Sequence, residues 1–360
     1  MTFPRDLQEI PPALSEVERV HVVDIAESGG STADYLRSRL EQVIHLRPCL
    51  YPNDLRKEVS RLIRQFRPRV LLACGTAAFR FLEWERPHPQ ITYVLDEAGL
   101  DHLRDRSRLR VESSILKRVT LSLRYLRMRR YEKAMCRKAD RLLAVTPSEQ
   151  KYLERFARNV PTTLVPCGAN LDLFPFHYAG DENQTLLFCG DLTYPPNEDA
   201  MLYFLRDIFP VIIRRCPETR FHIVGHYNGE RLRQWSERFP QVRLKGYVED
   251  LQREYRSASI FVNPVRYGRG YISKVMDAFT AGLAVVSLDF LADGIAADPG
   301  DHYMRAADSK GFADSVIHLL ENPSFKERMA ARARRFAETR TWDSAFQSLA
   351  EIVGNRTCLH

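Results

Sequence analysis

Short apolar runs alternate with amphipathic stretches along most of the chain, and this alternation predicts strands followed by helices. The runs of the first half are rich in valine, leucine and isoleucine, as buried parallel strands are. They are residues 20–25, 69–75, 91–96, 141–146 and 162–168. Helical spacing appears between them, for example at 54–66 and 148–156. Such alternation is typical of βαβ units, which build parallel sheets.

A polar break at residues 170–184, which contains Pro175, interrupts the pattern before the alternation restarts. The second half has predicted strands at 185–190, 220–225, 242–248, 259–264 and 284–288, and predicted helices at 198–214, 231–239, 250–257, after Gly270 and from about 310 to 353. We therefore predict an α/β protein with two tandem Rossmann-like, doubly wound domains, residues 1–175 and 183–340. A last helix, 341–360, is expected to pack back toward the first domain.

Composition limits the class of protein. The 360 residues are 44% apolar, which suffices for two cores, and the seven cysteines are scattered without a CxxC pair. This usage is typical of a reducing cytosol and argues against disulfides or a zinc site. Histidines also lack ligand spacing, so we expect no metal. No signal-peptide run or uninterrupted stretch of 18 apolar residues occurs, which predicts a cytoplasmic protein that is at most peripheral on the inner face of the membrane.

The positive charge is concentrated in one segment. Residues 104–141 contain 14 Lys or Arg against 4 Asp or Glu, whereas the net charge of the whole chain is +7. Within it, Arg124, Arg127, Arg129 and Arg130 accompany an apolar stripe formed by Ile115, Leu116, Val119, Leu123, Leu126 and Met135. Three interpretations stay open: a core-facing helix with a solvated basic face, a surface that docks on anionic lipid, or a nucleic-acid contact.

Glycines and cations meet at predicted strand ends in the second half. Gly190 and Gly225 each follow a strand, and a third strand leads into the loop 266–270 and then a helix. Glycine permits close backbone approach, and a helix N-terminus attracts anions. The loop and the first helical turn add four further candidates for a diphosphate site, Arg266, Arg269, Gly270 and Lys274.

The sequence resembles a known family through several motifs. The second half contains GDLTYPPNEDAMLYF (190–204), FHIVGH (221–226), KVMDAFTAGLAVVSL (274–288) and a last motif that begins at Asp293. The first half matches more loosely, through YVLDEAGL (93–100) and LVPCGANLDLF (164–174). Together they resemble the family-four glycosyltransferases with the GT-B fold, especially the bacterial exopolysaccharide branch.

The resemblance implies a function and a site. It implies a nucleotide-diphosphate sugar as donor, transfer with retention of configuration, no cofactor or obligatory metal, and a glycan or lipid-linked acceptor. Family members have two glutamates eight residues apart, and Arg269 and Asp277 stand at these positions. Asp277 is then expected to accept the ribose hydroxyls, while Asp293 is assigned to the donor side. Asp96, after a predicted strand of the first domain, is the candidate catalytic or acceptor-orienting residue.

Three departures from the family keep alternatives open. Arg269 replaces a glutamate, Asp191 stands where many relatives have an arginine, and no glycine-rich loop opens the first domain, which we expect to be shortened at its N-terminus. These features are compatible with a catalytically inactive protein that binds sugar or nucleotide. The basic segment is compatible with a glycosyltransferase that modifies nucleic-acid bases.

Overall fold

The structure, a computed structural model, describes residues 53–76, 78–79, 90–97, 99–178, 183–268, 272–289, 295–345, 347 and 349. The strand expected at 20–25, the shortened start of the first domain, and Arg269, Gly270 and Asp293 lie outside these residues. The chain divides into two compact units, residues 1–69 with 81–88, and residues 70–80 with 89–360. In the first unit, helix α1 spans Asn53–Phe66. Both sheets belong to the second unit.

Within the described residues, the first sheet has four parallel strands in sequential order. They are β1 (Val70–Cys74), β2 (Thr92–Asp96), β3 (Arg141–Ala144) and β4 (Thr162–Leu164). Three helices accompany them, α2 (Asp101–Leu109), α3 (Ile115–Cys136) and α4 (Pro147–Phe156). Local chemistry sets the start of α4, because the Thr146 side chain accepts from the Glu149 N–H and Pro147 occupies the first turn, where its missing donor costs nothing.

The second sheet has six parallel strands in the order β10-β9-β8-β5-β6-β7. They are β5 (Thr185–Cys189), β6 (Arg220–Val224), β7 (Val242–Gly246), β8 (Ile260–Asn263), β9 (Ala284–Leu288) and β10 (Met304–Ala306). Its helices are α5 (Pro195–Tyr203), α6 (Phe209–Arg215), α7 (Glu230–Ser236), α8 (Leu251–Ser257), α9 (Ser273–Ala281), α10 (Ser309–Glu321) and α11 (Pro323–Glu338). A π-helical segment, Phe204–Ile208, joins α5 to α6.

Both faces of the second sheet are covered. Along β5, Leu186 and Phe188 belong to one buried cluster, while Leu187 and Cys189 belong to another. Successive side chains of a strand point to opposite faces, so the two clusters lie on the two sides of the sheet. This explains why the strands of this half have continuous apolar runs. The two parallel sheets with their helices confirm the predicted α/β architecture.

Some elements differ from the prediction. Helix α2 and strand β10 were not predicted, and β4 ends at Leu164, four residues before the predicted end. Pro166 lies just beyond β4 and has no N–H to donate to a neighbouring strand, which is consistent with the early end.

Candidate functional site

The second sheet reverses its strand order between β5 and β8, and this reversal creates a crevice. The connection after β5 leads to β6 on one side, whereas the connection after β8 leads to β9 on the other. In open parallel sheets, ligands bind at such a switch point, beyond the carboxyl ends of the strands. The residues at these two strand ends therefore define the candidate site.

Two glycines bring the loops after β5 and β6 into direct contact. Gly225 has φ +140°, and a Cβ atom added there would lie 1.9 Å from the Gly190 carbonyl oxygen. The Gly190 N–H also donates to the Val224 carbonyl at 3.0 Å. Backbone packing thus explains why position 225 requires glycine, and a ligand contact of either glycine stays a prediction.

Lys274 lies beside Gly190 in the first turn of α9. A Cβ added to Gly190 would be 3.2 Å from the Lys274 ammonium, so the missing side chain leaves room for the cation. The ammonium donates to Asn197 Oδ1 at 2.6 Å, and Asn197 in turn donates to the Asp191 carbonyl at 2.7 Å. The ammonium also lies 4.4 Å from the centre of the Phe188 ring. Burial lowers the pKa of Lys274 to about 7.

A small cavity of about 150 Å³ adjoins this cation. It is lined by residues of the loops after β5 and β8, namely Tyr194, Pro196, Asn197, Asn263, Val265, Tyr267, Gly268, Ile272, Ser273 and Lys274. Asn263 is fully buried and donates to Ser287 Oγ at 2.9 Å, while its Oδ1 has no hydrogen-bond partner within the described part of the chain. A buried oxygen without a partner costs free energy until a donor arrives.

Arg266 is paired within the protein. Its guanidinium donates to both carboxylate oxygens of Asp199, at 2.6 and 2.9 Å, and lies 4.6 Å from the centre of the Tyr203 ring. Bidentate pairs of this kind fix the side chain and compensate its charge. The predicted contact of Arg266 with a phosphate would therefore compete with Asp199.

Asp277, in the second turn of α9, lies in a short hydrogen-bonded chain. Asn170 donates to Asp277 Oδ1 at 3.3 Å and accepts from the Trp342 indole N–H at 3.0 Å. Burial raises the pKa of Asp277 to about 6. Trp342, at the predicted start of the last helix, also packs on Gly168, and the Ala169 N–H donates to the Arg340 carbonyl at 2.7 Å.

The carboxyl end of β2 has two acidic residues. Asp96 is half-buried, and burial raises its pKa, with the Cys74 thiol 3.9 Å away. Glu97 is buried, and burial together with nearby carboxylates, chiefly that of Glu132, raises its pKa well above the ordinary value. Glu97 Oε2 finds no hydrogen-bond partner among the residues described.

Helix α2 connects the region of the first sheet to the cavity. Ser107 Oγ accepts from the Gly268 N–H at 3.1 Å and lies 3.2 Å from the Gly268 carbonyl, to which it can donate. The Arg104 side chain bonds to Tyr194, another residue of the cavity lining. These contacts place α2 against the loops that hold the candidate site.

Helix α2 is itself anchored by a buried carboxylate of α3. Glu132 accepts from the N–H groups of Asp101 and His102, at 2.6 and 3.1 Å, and from the His102 ring. The other nitrogen of that ring lies 2.6 Å from the Tyr152 hydroxyl. The Glu132 carboxylate at the start of α2 interacts favourably with the helix dipole. Its hydrogen bonds fix the position of the helix.

The basic segment forms the 22-residue helix α3, and its apolar stripe does not face the core as one interpretation expected. Met135 is buried, but Ile115, Leu116, Val119, Leu123 and Leu126 are exposed. Arg124 lies 3.1 Å from the buried carboxylate of Asp105. Arg127, Arg129 and Arg130 are exposed, and Arg129 lies 5.8 Å from the centre of the Phe156 ring.

The described residues contain no group of three or more His, Cys, Asp or Glu side chains suited to a metal ion, and the expected independence from metal stays a prediction. Within the same residues, none of the helices combines the length and the apolar character needed to cross a bilayer.

The structure brings together some of the predicted residues. Gly190, Gly225 and Lys274 lie together at the switch point, whereas Asp96 lies at the carboxyl end of β2 in the other sheet. Asn197, Asn263, Ser107 and Tyr194 were not among the residues selected from the sequence. Its place at the end of a predicted strand could have selected Asn263, while the contacts of Asn197 and Ser107 depend on tertiary structure.

Comparisons with known proteins fit this geometry. Residues 183–322 match the family model described as "Glycosyl transferases group 1". A phosphatidyl-myo-inositol mannosyltransferase from Mycobacterium tuberculosis is 29% identical over 206 residues, which are 52% of this chain and 52% of that protein. The chain thus aligns with about half the length of this curated relative.

Solved structures share the fold at low sequence identity. Sucrose-phosphate synthase from Thermosynechococcus elongatus superposes with a TM-score of 0.67 at 14% identity, over 85% of this chain and 80% of that one. HepE from Anabaena, in complex with UDP-glucose, gives a TM-score of 0.66 at 14% identity, over 87% and 83% of the two chains. Residues 183–322 therefore match the glycosyl transferases group 1 family model, and the chain shares the fold of these solved glycosyltransferase-like structures.

Proposed function

We propose that the protein is a retaining glycosyltransferase that moves a sugar from a nucleotide-diphosphate donor to a hydroxyl of a glycan or lipid-linked acceptor. The observation that carries the proposal is the Lys274 ammonium, held by Asn197 beside Gly190 at the switch point of the second sheet. The HepE complex with UDP-glucose and the mannosyltransferase named for phosphatidyl-myo-inositol support the classes of donor and acceptor.

The chemistry assigned to Lys274 is charge stabilisation. Transfer breaks the bond between the anomeric carbon and the diphosphate, and negative charge develops on the departing phosphate oxygen. An ammonium and the free N–H groups at the start of α9 stabilise such charge in a site shielded from water. Because a bound anion favours the protonated amine, donor binding is expected to raise the pKa of Lys274 above about 7.

Two carboxylates have separate roles in the proposal. Asp277 accepts hydrogen bonds from the ribose hydroxyls with the oxygen that Asn170 leaves free. Asp96 orients the acceptor hydroxyl at the edge of the first sheet, and the proton of that hydroxyl passes to a phosphate oxygen of the donor, so a protein base is not required. Neither role requires a metal ion.

We also propose a cytoplasmic location, where nucleotide sugars and reduced cysteines coexist. Among the described residues Cys74, Cys136, Cys167, Cys189 and Cys216 are free thiols. This usage fits a reducing compartment.

A catalytically inactive binding protein is the second candidate, and two observations favour it. Asp191 adds a carboxylate directly after Gly190, where its side chain accepts from Thr193, and the charge of Arg266 is already compensated by Asp199. A panel of UDP-, GDP-, ADP- and dTDP-sugars separates the candidates when thermal shift and nucleotide release are measured together. The enzyme is expected to be stabilised by one donor and to release its nucleotide when acceptor is added. Binding without release supports the inactive protein, and absence of any binding contradicts both.

A further inference from the structure

The exposed face of α3 is apolar along its centre. Ile115, Val119, Leu123 and Leu126 follow helical spacings of 4, 4 and 3 residues, so they share one face of the helix. Their exposed fractions are 81, 54, 50 and 54%, and Leu116 beside them is 75% exposed. Exposed apolar side chains that form a continuous stripe indicate a surface that contacts an apolar partner.

The buried face of α3 lies opposite this stripe. Leu121, Glu132 and Met135 are buried and anchor the helix to the protein. Leu121 precedes Leu123 by two residues, which is a rotation of about 200° around a helix of 3.6 residues per turn. The apolar stripe therefore lies on the side of α3 opposite to its buried residues.

Cationic residues flank the apolar stripe, and the stretch of α3 that carries the stripe contains no acidic residue. Residues 115–131 contain six Lys or Arg and no Asp or Glu. Arg124 is paired with Asp105 from α2. Arg127 and Arg130 are exposed, and they lie on the same side of the helix as Leu123 and Leu126. The face thus combines an apolar centre with uncompensated positive charge.

We propose that this face docks on an anionic lipid bilayer, with the apolar stripe in the interfacial layer and Arg127 and Arg130 on lipid phosphates. Helices of this composition lie in the plane of the interface, and the apolar burial and the attraction to anionic lipid add to each other. Docking would bring the first sheet, with Asp96, close to a lipid-linked acceptor. That last step rests on the proposed function, whereas the docking does not.

A nucleic acid fits this face less well. Proteins that bind single strands present exposed aromatic rings to the bases, and phosphate contacts do not bury apolar side chains. Both aromatic residues of this stretch, Tyr125 and Tyr131, are partly buried, while the side chains at the centre of the face are aliphatic. Binding to lipid therefore accounts for the apolar stripe, whereas binding to nucleic acid does not.

The test is vesicle flotation of the full chain, with phosphatidylcholine vesicles that contain or lack phosphatidylglycerol. The wild type is expected to float only with the anionic vesicles and to dissociate at high salt. Reversal of two charges, Arg127→Glu with Arg130→Glu, is expected to reduce partitioning at least about tenfold. Leu123→Ser is expected to reduce partitioning in both low and high salt, because it removes apolar contact.

Matched variants control for charge and for hydrophobicity. Arg328→Glu with Arg335→Glu makes the same change in net charge on exposed positions of α11, and Leu173 is 50% exposed, as Leu123 is. These controls, including Leu173→Ser, are expected to float like the wild type. Flotation that is unchanged in the α3 variants, or absent for the wild type, overturns the proposal.

Other outcomes identify other occupants and also overturn it. Salt-sensitive binding of duplex DNA without vesicle binding assigns the face to nucleic acid. A dimer in sedimentation velocity that Leu123→Ser dissociates assigns the face to a second copy. Nucleotide-sugar binding, measured on the same preparations, separates the two proposals. Its loss in every protein, with vesicle binding intact, contradicts the proposed function and leaves the docking surface standing.

Discussion

At the carboxyl edge of the first sheet, β2 ends at Asp96 and is followed by Glu97, whereas at the carboxyl edge of the second sheet β5 is followed by Gly190, which lies beside the Lys274 ammonium. Burial acts on both edges, and it disfavours the charged form of each group. It raises the pKa of both carboxyl groups and lowers the pKa of Lys274 to about 7. Under the proposed function, the first edge orients the acceptor hydroxyl and the second edge binds the diphosphate.

The backbones of the two edges differ as well. Gly75 follows β1 with φ +86°, and no atom of the described residues lies within 4 Å of a Cβ added there. Gly225 follows β6, and the Gly190 carbonyl oxygen occupies the position of its Cβ. The second edge is therefore a close contact between two loops, while the first is a simple turn.

The largest effect is expected from Gly225→Ala. The added methyl group combines an unfavourable φ with a clash against backbone, so we expect the free energy of unfolding to fall by about 3–5 kcal/mol. Gly75→Ala has a similar φ problem without the clash and is expected to cost about 1 kcal/mol. Urea unfolding measures both, and equal losses would mean that the contact between Gly190 and Gly225 does not constrain the second edge.

Lys274→Ala is expected to give the next largest effect, on binding. Loss of a charged hydrogen-bond donor at a phosphate should weaken donor binding by about 2–3 kcal/mol. The affinity for the bare nucleoside should change little, because the lost interaction is with the diphosphate. Calorimetric titration measures both ligands, with exposed Lys310→Ala as the control. A parallel loss for nucleoside and donor would show that Lys274 shapes the pocket instead of binding the phosphates.

Asp277→Asn tests the ribose contact at the second edge, and Asp96→Asn is its counterpart at the first. We expect Asp277→Asn to weaken donor binding by about 1–2 kcal/mol, because a charged acceptor becomes a neutral one. Asp96→Asn should leave donor affinity unchanged and reduce kcat once the acceptor is known. If Asp96→Asn weakens donor binding as much as Asp277→Asn does, the separation of roles between the edges is wrong.

The titration of Asp277 predicts how donor affinity changes in acidic solution. Its pKa of about 6 lies above the ordinary value, so the carboxylate is lost as pH falls through about 6. Donor affinity is therefore expected to decrease below that pH in the wild type. In Asp277→Asn this decrease of donor affinity at low pH should disappear. If the decrease persists in the variant, another titrating group causes it.

The smallest effect is expected at Arg266, because Asp199 already compensates its charge. Arg266→Ala should weaken diphosphate binding by less than about 1 kcal/mol, in the range of partly exposed ion pairs. Asp199→Ala should instead strengthen it slightly, since it frees the guanidinium. Combining Arg266→Ala with Asp199→Ala completes a double-mutant cycle, which measures how strongly the two residues are coupled in diphosphate binding. A large loss in Arg266→Ala alone would mean that the pair opens and that Arg266 binds the phosphates directly.

Much of the fold was predictable, because short apolar runs and helical spacing are local features of the sequence. The runs at 185–190 and 284–288 became β5 and β9, and Gly190 and Lys274 were selected from their places after a strand and in the first turn of a helix. The pairing of Arg266 with Asp199 joins residues 67 positions apart and depends on how α5 packs, so spacing could not reveal it. The stripe on α3 has the periodicity of a core-facing helix, and only the structure shows that its apolar side points outward.

The most direct test of the central claim is donor binding as a function of pH, compared between the wild type and Lys274→Gln. A nucleotide sugar serves as ligand, because its diphosphate has no terminal group that titrates near neutral pH. Since the pKa of Lys274 is about 7, the wild-type affinity should fall as pH rises from 7 to 9, by up to about tenfold per unit. The affinity of Lys274→Gln should be low and flat over this range. A wild-type profile that is equally flat, or an alkaline limb that survives in Lys274→Gln, would contradict the assignment of the diphosphate to this edge.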